Sequence, residues 1–130
     1  EHGKLLISGT TGLTEAQHKA LKQAASRTAI VHSHNMSLGV NLLAALVEQT
    51  AKALDDGFDI EILEMHHRLK VDAPSGTALM LGEAAARGRG VKLRDVEQYA
   101  RKGQVGRRTT GEIGFSVMRG GDVIGDHTVI

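Results

Sequence analysis

The chain has 130 residues, with 16 Lys and Arg against 15 Asp and Glu, for a formal net charge of +1 with histidines neutral. That is length enough for one modest core, and the balance argues against non-specific nucleic-acid binding, which needs a strong basic excess. There is no cysteine, which excludes disulfides, thiolate catalysis and Cys-ligated zinc; no apolar run reaches the roughly 18–20 residues of a membrane span, and three aromatics, Phe58, Tyr99 and Phe115, offer little platform for base stacking.

In chain order, Lys4 to Ser8 reads as a short buried strand that Gly9-Thr10-Thr11-Gly12 interrupts. Thr14 and Gln17 stand at capping-box spacing, which predicts a helix from about Glu15 to Ser26. Thr28 to His32 is a second apolar strand, and strand–helix–strand at this length predicts a parallel βαβ unit. After the loop Ser33-His34-Asn35-Met36, an amphipathic helix is expected from about Leu38 to Leu54. Ser37 is its N-cap, Val40, Leu43, Leu46, Val47 and Leu54 form its apolar stripe, and Gly57 is placed to end it.

Asp59 to His67 is the clearest strand, and a further helix is expected from about Ser75 to Ala86, ended by Gly88 and Gly90. A basic loop follows from Val91 to Thr110. It reads as a solvated face, with steering of an anionic substrate as the second possibility. Two strand-like runs then flank Gly120-Gly121, which predicts a two-residue hairpin. The alternation of strands and helices places the chain in the α/β class, with α+β for the larger part. A parallel strand pair needs neighbours on both faces, and His127 to Ile130 stops while still reading as strand; the chain is expected to be a piece of a larger protein.

The chemistry concentrates on the connection from Glu64 to Leu81. Alternation puts Ile60, Ile62, Glu64 and His66 on one strand face and Glu61, Leu63, Met65 and His67 on the other. The two histidines therefore point apart unless the strand ends or bulges there. Pro74 disfavours helix at Ala73 and is welcome near a helix start. Ser75-Gly76-Thr77 then present first-turn N–H groups, a ready anion site, with Arg68 and Lys70 just upstream. A small dianionic ligand fits: one carboxylate for the amides and hydroxyls of residues 75–77, one for His67 and a cation. His66 is the group available for proton transfer, and a well-placed general acid contributes about 10²–10⁴ in rate.

Glu64 to Ala78 resembles the H-H-x-x-K-x-D-A-P-S-G-T-A signature of the bacterial dihydrodipicolinate reductases of lysine and diaminopimelate biosynthesis. Residues 9–12, 37–41 and 110–129 resemble the same family in the same order. The resemblance implies NADH- or NADPH-dependent reduction of a cyclic, pyridine-like 2,6-dicarboxylate in the cytoplasm. It implies catalytic roles for His66 and Lys70, and substrate contacts from His67, Gly76, Thr77 and Thr11. It implies cofactor contacts from Gly9, Thr10, Thr11, Ser33, His34, Asn35 and Met36, and no metal. Residues 1–34 would be the end of a Rossmann-type dinucleotide-binding domain, and residues 35–130 a mixed-sheet domain for substrate binding and homotetramer assembly. Two departures stand out. The Gly-rich phosphate-binding fingerprint is absent, so the isolated chain is expected to be nearly inactive. His32 to Met36 also differs from the small and aromatic residues usual around that asparagine. Two other readings compete: a non-catalytic oligomerisation or dicarboxylate-binding module, and a zinc-dependent hydrolase using His32, His34, His66, His67 and Asp126 or His127.

Overall fold

The computed structural model describes residues 4–130. Chain order is β1 (Leu6–Ser8), α1 (Glu15–Ala25), β2 (Ile30–His32), α2 (Leu38–Ala53), β3 (Ile60–His66), α3 (Gly76–Arg89), α4 (Leu93–Val96), β4 (Glu97–Gln98), β5 (Ile113–Arg119) and β6 (Asp126–Val129). β1 and β2 pair in parallel through Leu6–Ile30, Ile7–Val31 and Ser8–His32, with α1 as the crossover, so the expected βαβ unit is present. Thr14 caps α1 with both halves of the capping box formed. This unit buries little: Leu5, Ile7 and Val31 are exposed and α1 has no buried residue.

The larger part is a four-stranded mixed sheet in the order β4-β5-β3-β6. β3 is central, parallel to β5 and antiparallel to β6. This corrects the hairpin reading: β5 and β6 do not pair with each other but flank β3. The Gly120-Gly121 turn is spent on the end of β3 instead. Gly120 N–H donates to His66 O (3.0 Å), Arg68 N–H to Gly121 O (3.2 Å) and His67 N–H to Val123 O (2.6 Å).

α2 and α3 cover one sheet face. The face of β3 carrying Ile60, Ile62, Glu64 and His66 is buried throughout, as alternation requires. The core joins Ile60, Ile62, Ile113 and Phe115 of the sheet to Ala78, Leu81, Ala84, Ala85 and Ala86 of α3 and Ala44, Val47 and Ala51 of α2. Small residues on both helices let their axes approach. The apolar stripe expected on α2 is rotated by this contact: Ala44 and Ala51 replace Leu46 and Leu54 as buried residues, and Leu46 is 51% exposed. α2 ends as Leu54 turns extended, ahead of Gly57.

α3 runs three residues further than Ala86. Gly88 lies inside it rather than ending it. A β-carbon there would stand 2.9 Å from Ala51 Cβ and 3.0 Å from Lys52 N, so Gly88 is the close contact between α2 and α3. Gly90 does end the helix, in the left-handed conformation with φ +69°. The basic segment is not a plain loop, since it contains α4 and β4. Two of its arginines are tied to carboxylates at the start of β3 and at Glu112. Arg108 pairs with Asp59 (2.8 Å) and Glu61, and Arg101 with Glu61 (2.8 Å) and Glu112. These pairs bridge the segment to the start of β3. On the opposite sheet face Met65 stands in register with Met118 and Leu63 with Ser116; no helix among the described residues covers it, and Met118 is 44% exposed.

Candidate functional site

The site lies where the carboxyl ends of β3 and β5 meet the start of α3. Strand register builds it. Glu64 of β3 stands opposite His127 of β6, and His66 opposite Arg119 of β5. Paired residues point to the same face, so two carboxyl- and imidazole-bearing residues of β3 gain a guanidinium on one side and an imidazole on the other. β3 ends at His66, as needed for both histidines to serve one region; His67 already lies in the turn closed by Lys70 N–H to His67 O (3.1 Å).

Glu64 is the hub and is 1% exposed. Arg119 donates to both of its oxygens, at 2.9 and 3.1 Å, and also to Asp72 O at 2.7 Å. Ser75 N–H donates to Glu64 Oε1 at 2.9 Å, and His66 Nδ1 pairs with Oε2. Burial works against the Glu64 charge, but the donors Arg119, Ser75 and His66 outweigh it and hold the carboxyl below its usual range. The His127 ring lies edge-on to that of His66, 5.1 Å between centroids, with Nε2 3.0 Å from Ser75 Oγ. Burial, then the neighbouring His66, pushes the His127 pKa down.

Lys70 Nζ is 2.6 Å from Asp72 Oδ1. Asp72 is held below its usual range because this bond, its own backbone and nearby cations overcome its burial. Ala73-Pro74 is cis, and Ser75 caps α3 by accepting from Ala78 N–H (3.1 Å). The Ser75 amide donates to Glu64 and its hydroxyl accepts from Ala78 N–H. The N–H groups of Gly76 and Thr77 take no partner among the described residues.

The two loops after β1 and β2 converge on the same helix start. A β-carbon on Gly76 would fall 2.7 Å from Thr11 Cγ2 and 3.7 Å from His34 Cβ. Gly76 therefore permits close approach of the loop from Gly9 to Thr11, whose Thr10 N–H reaches Ser8 Oγ at 3.4 Å. Asn35 Nδ2 donates to Thr77 Oγ1 (3.0 Å), Asn35 Oδ1 accepts from Ser37 N–H (2.8 Å), and Ser33 Oγ donates to Asn35 O (2.8 Å). Asn35 is a tether between β2, α2 and α3, with both ends of its amide occupied. Met36 is exposed. The rings of His18, His32 and His34 gather 5.5–6.3 Å apart. Burial, then His32 and His18, lowers the His34 pKa. Asp126 pairs in register with Met65 and so lies on the other sheet face from His127. Among the described residues no three His, Asp or Glu side chains are placed to hold a metal.

Sequence reasoning assigned no role to Glu64 or Arg119, and named His127 only as an alternative zinc ligand. Alternation had put Glu64 beside His66. Nothing local marks Arg119 or His127, because strand pairing alone delivers them.

The fold and site define a mixed-sheet α/β protein with a cluster of titratable and cationic side chains at a helix start, suited to an anionic ligand and proton transfer. The chain belongs to the dihydrodipicolinate reductase family: the family model for the C-terminal part matches residues 39–130, and that for the N-terminal part matches residues 1–36. The 4-hydroxy-tetrahydrodipicolinate reductase of Rhodopseudomonas palustris (strain BisB18) is 58% identical over 130 residues, covering 100% of this chain and 48% of the relative. That of Parvibaculum lavamentivorans is 62% identical over 124 residues, covering 95% and 46%. The chain thus spans about half the length of the curated relatives it matches. Among solved structures, a dipicolinate-bound dihydrodipicolinate reductase from Paenisporosarcina sp. TG-14 is 26% identical, with a TM-score of 0.49 over 96% of this chain and 47% of that one.

Proposed function

We propose that this chain is the substrate-side part of a 4-hydroxy-tetrahydrodipicolinate reductase, acting on a cyclic 2,6-dicarboxylate in cytoplasmic lysine and diaminopimelate synthesis. The observation that carries the reading is the gathering, at one helix start, of first-turn amides without a partner among the described residues, His66 joined to that start through Glu64, and Lys70 joined through Asp72 and Arg119. The N–H groups of Gly76 and Thr77 receive one ligand carboxylate. His67, whose Nδ1 is buried without a partner among the described residues, and Lys70 take the other. Charge-assisted hydrogen bonds contribute about 1.5–3 kcal/mol each. Lys70 leaves Asp72 to do so, and the dianion replaces that carboxylate. His66 holds the transferable proton at Nε2, the ring nitrogen that Glu64 does not engage, and Lys70 is the second donor.

A nicotinamide, from NADH or NADPH, would supply the hydride. The loop from Gly9 to Thr11 and the segment from Ser33 to Met36 fit its reactive end, because both reach the helix start through the gap left by Gly76. Thr11 then touches substrate as well. Within that segment the Asn35 side chain acts by tethering, leaving Ser33, His34 and Met36 for contact. Residues 1–34 serve as the end of the nucleotide-binding domain and residues 35–130 as the substrate domain. The uncovered face bearing Leu63, Met65 and Met118 suits a second copy, in keeping with a homotetramer of the whole enzyme. No helix among the described residues is long and apolar enough to cross a membrane.

The test is a calorimetric titration of the chain with pyridine-2,6-dicarboxylate, beside a monocarboxylate and Lys70→Ala. Binding that needs both carboxylates and weakens at least tenfold in the variant is expected. Equal binding of the monocarboxylate, or no effect of the variant, overturns the reading.

A further inference from the structure

One buried carboxylate has no part in the chemistry described above. Glu64 receives four donor groups: Ser75 N–H and Arg119 Nη2 at Oε1, and Arg119 Nη1 and His66 Nδ1 at Oε2. A carboxylate so surrounded is an acceptor only. In its pairing with Glu64, His66 Nδ1 must then carry hydrogen, whatever the charge on the ring. The hydrogen bond at one ring nitrogen sets the state of the other. His66 is 8% exposed and closed in by β6. A β-carbon on Gly125 would lie 2.8 Å from His66 Nε2 and 3.1 Å from its Cδ2. Gly125 therefore leaves the Nε2 edge open where any other residue would crowd it.

We infer that Glu64, clamped by Arg119 and the first amide of the α3 cap, is a positioning residue that fixes His66 in the Nδ1–H form and presents Nε2 as the proton-transferring atom. The pairing of an imidazole with a buried acid repeats the logic by which a third group orients a catalytic base. The parts are set by different constraints. β3 alternation puts Glu64 two residues before His66 on one face, β5 register supplies Arg119, and the α3 cap supplies the amide. The clamp also explains why a carboxylate survives among core residues without a ligand: its charge is already matched.

The inference rests on the proposed role of His66 as proton donor, but its test does not depend on ligand binding. Long-range ¹H–¹⁵N spectra of the imidazoles in the 130-residue chain, recorded to pH 9, report which nitrogen of His66 is protonated. Hydrogen on Nδ1 is expected throughout; a wild-type spectrum with Nδ1 bare overturns the inference. Glu64→Gln replaces an obligate acceptor with a group that can also donate. If it folds, hydrogen should redistribute to Nε2, and unchanged Nδ1 protonation also overturns the inference. If it does not fold, the wild-type spectrum decides. Failure to bind the dicarboxylate with Nδ1 still protonated sinks the proposed function and leaves the positioning role standing.

Discussion

Arg119→Met tests the electrostatic architecture most sharply. Met keeps much of the side-chain volume and removes the two bonds, 2.9 and 3.1 Å, that hold Glu64. Removing one partner of a buried ion pair costs about 3–5 kcal/mol, because the other charge stays buried. Arg119 is itself about a fifth exposed, and Glu64 keeps Ser75 and His66, so the low end, about 3 kcal/mol, is expected. Against a total of about 5–15 kcal/mol for a domain, that is a large fall in the urea midpoint at unchanged m-value. The pH dependence carries the diagnosis. In the wild type the depressed Glu64 pKa gives stability that is present above the ordinary value of 4.5 and lost as pH falls through the folded value. Without Arg119, burial dominates and pushes the carboxyl up, so protonation relieves the variant. The deficit should therefore shrink between pH 7 and pH 4, and Glu64→Gln/Arg119→Met should recover most of it at pH 7. A deficit that is the same at both pH values, with no recovery in the double variant, would refute the reasoning.

Gly88→Ala places a β-carbon against α2 backbone and Ala51. The strain should cost about 1–3 kcal/mol net of any helix-propensity gain, read as a melting point several degrees lower. Thr14→Ala removes the capping-box bond that Gln17 N–H donates to the Thr14 hydroxyl and leaves the one donated by the residue 14 backbone N–H to Gln17 Oε1; a loss of about 1 kcal/mol is expected, read as faster amide exchange confined to α1. The lowered His127 pKa means that the unfolded chain binds its proton first as pH falls. Stability from this group is full above about pH 6.5 and is lost through the lower folded value. Thermal melts should drop between pH 7.5 and pH 5.5, and His127→Asn should flatten that drop.

Much of the local structure is legible in the residues themselves. The Thr14–Gln17 box, the Ser37 and Ser75 caps, the left-handed Gly90 and the alternation from Ile60 to His66 each depend on neighbours within about four positions, where chain geometry leaves few options. The segment from Glu64 to Ala78 likewise carries His66, Lys70 and the helix start together because they are adjacent in the chain.

Elsewhere, local signals stopped short. Gly120-Gly121 looks like a hairpin turn, yet β3 takes the place between β5 and β6, so that its edges rather than theirs pair while its buried face packs on the helices. Gly88 resembles a helix stop, but in the folded chain its missing side chain is filled by the backbone of α2. Arg101 and Arg108 look like free surface charge until the fold brings them to Asp59, Glu61 and Glu112. The same holds for the site. The adjacency of His66, Lys70 and the helix start was set by sequence alone, but the Glu64 clamp, with Arg119 and His127 more than 50 residues away, exists only through strand register, a tertiary choice made by burying one face of β3.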